Sequence, residues 1–133
     1  MDGTMWYLGL YTPITDPILL EECFGGFLKR AGFKVLGGAF HPFEPQGYTS
    51  FKILGESHES VHTFPEHGRT YVDVLSCIRS KIVQFHELIK PFEESGVVCV
   101  VEESIIVPPT DMKTTRAISR EIRTFRAAAR KRD

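Results

Sequence analysis

The chain has 133 residues, with 16 basic and 17 acidic side chains and a formal net charge of −1. This length predicts one domain with a modest hydrophobic core. No apolar run approaches the ~18 residues that a membrane helix needs, and the polar residues 1–4 lack the pattern of a signal peptide. Three cysteines at no metal-like spacing indicate reduced thiols, so we expect a cytoplasmic protein without membrane association.

Strands are indicated by β-branched and aromatic runs between glycine and proline breaks, and helices by apolar residues three and four apart. In chain order the pattern predicts strand 5–12, helix 17–32, strand 33–40, loop 41–47, strands 48–54, 58–64 and 70–76, helix 78–94 and strand 97–106. This order favours the α+β class. We expect a two-layer sandwich, in which two helices cover one face of an antiparallel-rich sheet.

Residues 110–133 are predicted to form a basic C-terminal helix that lies outside the sandwich. They hold eight of the sixteen basic residues, so the body before them is acidic. We therefore divide the chain into a domain at 1–109 and a helical tail at 110–133. A nucleic-acid-binding arm is the alternative for this tail, but Phe125 is its only aromatic residue, and a solvated helix is favoured.

The most informative residues are a serine, a histidine five positions later and a cysteine further on: Ser57, His62 and Cys77. They lie on or beside strands that a meander can place next to each other, so we expect one pocket to hold all three. Serine needs a base or a distorted backbone to act as a nucleophile, whereas histidine transfers protons near pH 7 and cysteine can do so when its pKa is tuned. A surface serine, a hydrogen-bonded histidine and a buried cysteine would give the same pattern.

The surrounding motif decides between these interpretations. The run GESHESVHTFPEHG, followed by DVLSC, resembles the prokaryotic S-adenosylmethionine decarboxylase proenzymes. The residues in register are Glu56, Ser57, His58, Ser60, His62, Thr63, Pro65, Glu66, Asp73 and Cys77, with His41, Phe43, Pro45 and Gly47 in an upstream loop. The likeness extends over roughly residues 8–106 and includes the order of the elements.

The resemblance implies that the chain cleaves itself between Glu56 and Ser57. The Ser57 hydroxyl attacks the Glu56 carbonyl to give an ester, and β-elimination and hydrolysis then release a β chain that ends at Glu56. The α chain begins with a pyruvoyl group in place of Ser57. His62 is implied to take the proton in the elimination. Cys77 is implied to protonate the substrate α-carbon after carbon dioxide leaves.

The pyruvoyl group is the cofactor that the resemblance implies, and no metal is expected. It would form a Schiff base with the substrate amine and accept the electrons freed by loss of the carboxylate. The implied substrate is S-adenosylmethionine, whose decarboxylated form donates an aminopropyl group in spermidine and polyamine biosynthesis. Phe43 is implied to stack on the adenine. Glu66 is implied to contact the substrate from the partner subunit of a homodimer.

The chain departs from the family pattern near the implied pocket. Tyr48, Arg69 and Tyr71 lie in stretches where smaller residues are common, so they could shrink or recharge a nucleoside site. Since any α-amino acid can form the Schiff base, decarboxylation of arginine or ornithine stays open as an alternative. Glu59 stands where an apolar residue is common, which gives one strand face an unexpected charge.

Two other interpretations use the same residues. A metal site at His58 and His62 is not expected, because four strand residues separate their Cα atoms by ~13 Å. A catalytically inactive scaffold or regulatory homologue is a further alternative. Such a homologue would usually have lost the serine, the histidine or the cysteine, and this chain keeps all three.

Overall fold

The computed structural model describes residues 2–132. Its centre is a six-stranded sheet in which every strand pair is antiparallel and the spatial order is β2-β3-β4-β5-β1-β6. The strands are β1 Met5–Thr12, β2 Gly37–Pro42, β3 Tyr48–Ile53, β4 Ser57–Phe64, β5 Arg69–Ser76 and β6 Cys99–Ile106. The helices are α1 Pro17–Leu20, α2 Gly26–Arg30, α3 Arg79–Glu94 and α4 Thr115–Arg132, with a π-helical turn at Glu21–Gly25 and a 3-10 turn at Pro65–His67.

Alternating burial along the central strands shows which face of the sheet carries the core. In β4 the residues at 57, 59, 61 and 63 are buried, and in β5 those at 70, 72, 74 and 76 are. Successive side chains of a strand point to opposite faces, so each set lies on one face. That face packs against the helices, where Phe24, Leu28, Phe85 and Ile89 complete the core. The opposite face, called the open face below, is not covered by the helices.

The first helical segment follows its sequence signals. The Leu19 backbone N–H donates to the Asp16 carboxylate at 2.9 Å, and Pro17 occupies the first helical position, as an N-cap with a following proline requires. The π-helical turn then interrupts the helix. It places Glu21 over β3, where its carboxylate pairs with Lys52. The second core helix, α3, buries Ile82, Phe85 and Ile89, which repeat at helical spacing.

The predicted α+β sandwich with two covering helical segments is confirmed, and most element bounds agree within two residues. The strand expected at 33–40 is wrong in its first half, because β2 begins at Gly37 and includes His41 and Pro42 from the expected loop. Phe33 instead packs into the core, while Val35 and Leu36 are exposed. The C-terminal helix begins at Thr115 rather than at 110, and Asp133 lies outside the described residues. Within residues 2–132, no helix combines the length and the hydropathy needed to cross a bilayer.

Candidate active site at the turn between β3 and β4

A two-residue turn joins β3 to β4 and contains the expected cleavage position. The Leu54 backbone N–H donates to the Ser57 carbonyl oxygen at 2.8 Å, which leaves only Gly55 and Glu56 in the loop. Gly55 has φ +78°, and Glu56 has a negative φ. A type II′ hairpin turn has this combination, and it places glycine first because of the positive φ. The peptide bond between Glu56 and Ser57 therefore lies where the turn meets the strand.

The Ser57 side chain is buried beneath the turn, with 6% of its surface exposed. Its hydroxyl donates to the Ser76 Oγ at 2.7 Å, and the Ser76 Oγ in turn accepts the Ile78 backbone N–H at 2.9 Å. Ser57 and Ser76 are direct partners in the β4–β5 register. Ser76 is not among the residues that the sequence predicts for the site, because the β4–β5 register that places it opposite Ser57 is not fixed by the sequence pattern.

Cys77 lies on the other side of the same peptide unit. Its thiol donates to the Glu56 carbonyl oxygen at 3.4 Å and to the Glu56 carboxylate at 3.3 Å. Burial raises the pKa of the Cys77 thiol, and the hydrogen bond and negative charge of Glu56 raise it further. The thiol is therefore protonated at neutral pH and can act as a donor. We call Glu56, Ser57, Ser76 and Cys77 the scission cluster.

His62 does not join the scission cluster within one chain. It lies five residues after Ser57 on β4, so about 16 Å of strand separates the two and their side chains point to opposite faces. On the open face, the His62 Nδ1 lies 3.1 Å from the Thr49 Oγ1. The expectation that one chain brings all three side chains into one pocket is wrong for His62, and its catalytic role stays a prediction.

Phe43 and Glu66 lie near the same end of the sheet as His62. Phe43 follows β2 in a loop closed by its backbone N–H, which donates to the Gly47 carbonyl oxygen at 2.8 Å, and its ring is about half exposed. Glu66 lies in the exposed 3-10 turn after β4. The two loops pack against each other at Gly47, since a Cβ added there would lie 3.3 Å from the Pro65 ring. We call Phe43, Thr49, His62 and Glu66 the distal cluster.

A hydrogen-bonded group of tyrosines and one aspartate occupies the middle of the open face. The Tyr7 hydroxyl donates to Asp73 at 2.8 Å and lies 2.5 Å from the Tyr71 hydroxyl, while Ser60 donates to the other Asp73 oxygen. Burial raises the pKa of Tyr7, and its bonds to Tyr71 and Asp73 add to the rise. Gly9 makes room for this group, since a Cβ there would lie 2.1 Å from the Tyr71 hydroxyl.

Glu59 is the least expected residue near the site. It lies two residues after Ser57 on the covered face, is 2% exposed, and its Oε2 has no hydrogen-bond partner among the described residues. Burial raises its pKa to about 7, although the positive charge of Lys52 lowers it in part. The departure from the family pattern noted in the sequence is thus a carboxyl group inside the core. Within residues 2–132 no three histidine, cysteine or acidic side chains converge as metal ligands.

The similarity of this chain to known proteins extends over the residues of the candidate site. A family model described as S-adenosylmethionine decarboxylase matches residues 11–104. The chain belongs to the S-adenosylmethionine decarboxylase family. The S-adenosylmethionine decarboxylase proenzyme of Bacillus cytotoxicus is 40% identical over 67 residues, which are 50% of this chain and 52% of that protein. The corresponding proenzyme of Shouchella clausii is 45% identical over 58 residues, which are 44% of this chain and 45% of that protein.

The chain spans about half the length of the curated family members that it matches. Among solved structures, the adenosylmethionine decarboxylase of Aquifex aeolicus aligns with a TM-score of 0.58 and 22% identity. The alignment covers 84% of this chain and 97% of that chain. At this identity the likeness concerns the fold, and it agrees with the α+β sandwich described above.

Proposed function

We propose that this chain is a self-cleaving, pyruvoyl-dependent S-adenosylmethionine decarboxylase. The observation that carries the proposal is the scission cluster, in which one peptide unit has a buried serine hydroxyl on its C-terminal side and a protonated thiol on its carbonyl oxygen. Membership of the family supports the same reaction. In this proposal residues 1–109 form the decarboxylase domain, and residues 110–133 are an appended tail.

Self-cleavage begins with the Ser57 hydroxyl. Its oxygen forms a bond to the Glu56 carbonyl carbon, the C–N bond breaks, and the hydroxyl proton ends on the freed amine, which gives an ester. The Cys77 thiol, 3.4 Å from the Glu56 carbonyl oxygen, stabilises the negative charge that develops on that oxygen. Ser76 fixes the direction of the attacking hydroxyl, because it accepts the hydrogen bond of Ser57.

The ester is then opened by β-elimination. A base removes the Cα proton of residue 57, the Cβ–O bond breaks, and Glu56 leaves as a carboxylate. The dehydroalanine that remains takes up water and loses ammonia, which leaves a keto group at the new N-terminus. We assign the base to His62, which is hydrogen-bonded to Thr49 on the open face.

The residues present fit the pyruvoyl group, because residue 57 is buried, begins a strand and has the Ser76 hydroxyl beside it. When formed, the group supplies an electron sink for the loss of carbon dioxide. Cys77 would hold the proton that the substrate α-carbon receives, and its raised pKa keeps that proton on sulfur at neutral pH. The product would be an aminopropyl donor of the kind used for spermidine.

We further propose that the enzyme is a homodimer in which the distal cluster of one copy completes the scission cluster of the other. The two clusters lie toward opposite ends of β4, with about 16 Å of strand between Ser57 and His62, so one chain cannot bring them to one substrate. The open face is left uncovered, and partly exposed aromatic side chains lie on it, including Tyr11 and Phe51. A second sheet packed on this face would bury these side chains.

Intact-mass spectrometry of the purified chain tests the proposal. We expect two fragments, one ending at Glu56 and one beginning with a pyruvoyl group at position 57, and we expect Ser57→Ala to give one unbroken chain. Ser60→Ala is the matched control, because it removes a hydroxyl from the same strand but on the opposite face. An uncleaved wild-type chain without a reactive carbonyl would overturn the proposal. Carbon dioxide release from S-adenosylmethionine, arginine and ornithine, measured side by side, then decides the substrate.

A further inference from the structure

A groove of about 530 Å³ lies on the covered face between α3 and the edge strand β6, and Trp6 in its lining is the cross-strand partner of Ser76 in the scission cluster. Its lining is mainly apolar and includes Trp6, Val83 and Ile105. Two carboxylates also line it, Glu87 and Glu103, and they pair with the basic side chains of Lys90 and His86 in the same groove. Val83 and Ile105 are 42% and 65% exposed, and the buried Trp6 Nε1 has no hydrogen-bond partner among the described residues. The floor of the groove is thus an uncovered part of the core.

The C-terminal helix α4 presents the complementary surface. Ile118, Ile122 and Phe125 repeat at i, i+4 and i+7 and form one exposed stripe. The hydrogen bonds and ion pairs described for α4 side chains involve residues 113–124 alone. An isolated helix of this length is marginally stable in water, because most helical stability comes from burying an apolar face. The stripe therefore requires a partner.

The groove and the stripe match in length, and α4 is opposite in net charge to the rest of the chain. The α3 residues that line the groove run from Arg79 to Lys90, and the same side of α4 extends from Ile118 to Ala129; each span is twelve residues, about 16 Å of helix. Helix α4 carries seven basic residues and one acidic residue, whereas the rest of the chain carries nine basic and sixteen acidic residues. An amphipathic helix lying in an apolar groove is a common mode of recognition.

We propose that α4 of one copy occupies the α3–β6 groove of a second copy, and that the second copy returns its own α4 in the same way. A single chain leaves both its groove and its stripe uncovered, and reciprocal exchange covers both pairs with closed two-fold symmetry. The linker at 107–114 has eight residues and reaches at most about 28 Å, enough to cross to a neighbouring copy. The inference needs only a second copy and does not depend on the proposed decarboxylase activity.

Trp6 is the single tryptophan of the chain and reports occupancy of the groove directly. The experiment measures quenching of its fluorescence by acrylamide over a dilution series, together with the sedimentation coefficient. In the wild type we expect Trp6 to be protected at high concentration and to lose that protection as the dimer dissociates. Ile122→Asp should raise the dissociation constant at least about tenfold, since it removes a buried apolar side chain. Ala127→Asp introduces the same charge on the opposite side of α4 and should behave as the wild type.

A substitution in the groove makes the test independent of the helix. Val83→Lys, on an exposed position of α3, should remove the protection of Trp6 in the same way as Ile122→Asp. Protection that persists at every dilution would mean that the chain's own α4 fills the groove and would overturn the exchange. An unprotected Trp6 at all concentrations would also overturn it, as would protection that requires added phosphatidylglycerol vesicles or RNA.

Discussion

Replacing Glu59 with leucine should stabilise the protein and remove most of the pH dependence of its stability. An ordinary glutamate has a pKa of about 4.5, whereas burial raises that of Glu59 to about 7. The folded state therefore binds more protons than the unfolded state between these values. The contribution of Glu59 to the free energy of unfolding is therefore fully present below pH 4.5 and is lost as the pH rises through 7.

The size of the effect follows from the difference between the two pKa values. Each pKa unit corresponds to 1.36 kcal/mol, so ionisation of Glu59 in the core costs about 3 kcal/mol at pH 8. Leucine has a similar volume and no charge, and its neighbours on the covered face include Val61 and the cross-strand Val74. We expect the free energy of unfolding of Glu59→Leu to exceed that of the wild type by about 3 kcal/mol at pH 8. The difference should be smaller at pH 5.

Urea unfolding at pH 5, 6, 7 and 8 measures this directly. Both chains should carry Ser57→Ala, so that self-cleavage does not alter the unfolding transition. Glu22→Leu serves as the control, because Glu22 is an exposed carboxylate on the same helical segment as Glu21. If Glu59→Leu loses stability between pH 5 and pH 8 as steeply as the wild type does, Glu59 is not the titrating group and the reasoning fails.

Three further predictions concern the site and the core. Cys77→Ala should slow decarboxylation by at least about a hundredfold, because the reaction loses its proton donor, while urea unfolding stays near that of the wild type; equal turnover would place the donor elsewhere. Co-expression of Ser57→Ala with His62→Ala should restore cleavage in the chain that keeps Ser57, as judged by intact mass, whereas His62 acting within its own chain predicts no cleavage. Phe85→Ala should cost about 3–5 kcal/mol in urea unfolding, because Phe85 is fully buried, and a loss below 1 kcal/mol would contradict the described core.

The sequence predicts the sheet well because its strands alternate clearly and have glycine or proline at their ends. The prediction of a strand at 33–36 is wrong. The apolar residues of this segment suit a strand, yet the paired part of β2 begins only at Gly37. The π-helical turn was not predicted either, since its residues read as ordinary helix and the pairing of Glu21 with Lys52 is a tertiary contact.

The separation of His62 from Ser57 could have been predicted from the sequence. An odd spacing on a strand places two side chains on opposite faces, so a spacing of five already excludes a shared pocket in one chain. The pairing of Ser57 with Ser76 needed the β4–β5 register, which the alternation alone leaves open by two residues. The raised pKa of Glu59 depends on its burial under the helices, which the local sequence pattern does not predict.

The order of strands has a consequence for a chain cut after Glu56. The first fragment would contribute β1, β2 and β3, and the second β4, β5 and β6, yet β1 lies between β5 and β6. The two products would be interleaved, with three shared ladders at β3–β4, β5–β1 and β1–β6. Neither piece could diffuse away without global unfolding, so breaking the backbone at this turn would free a new terminus while the molecule keeps its shape.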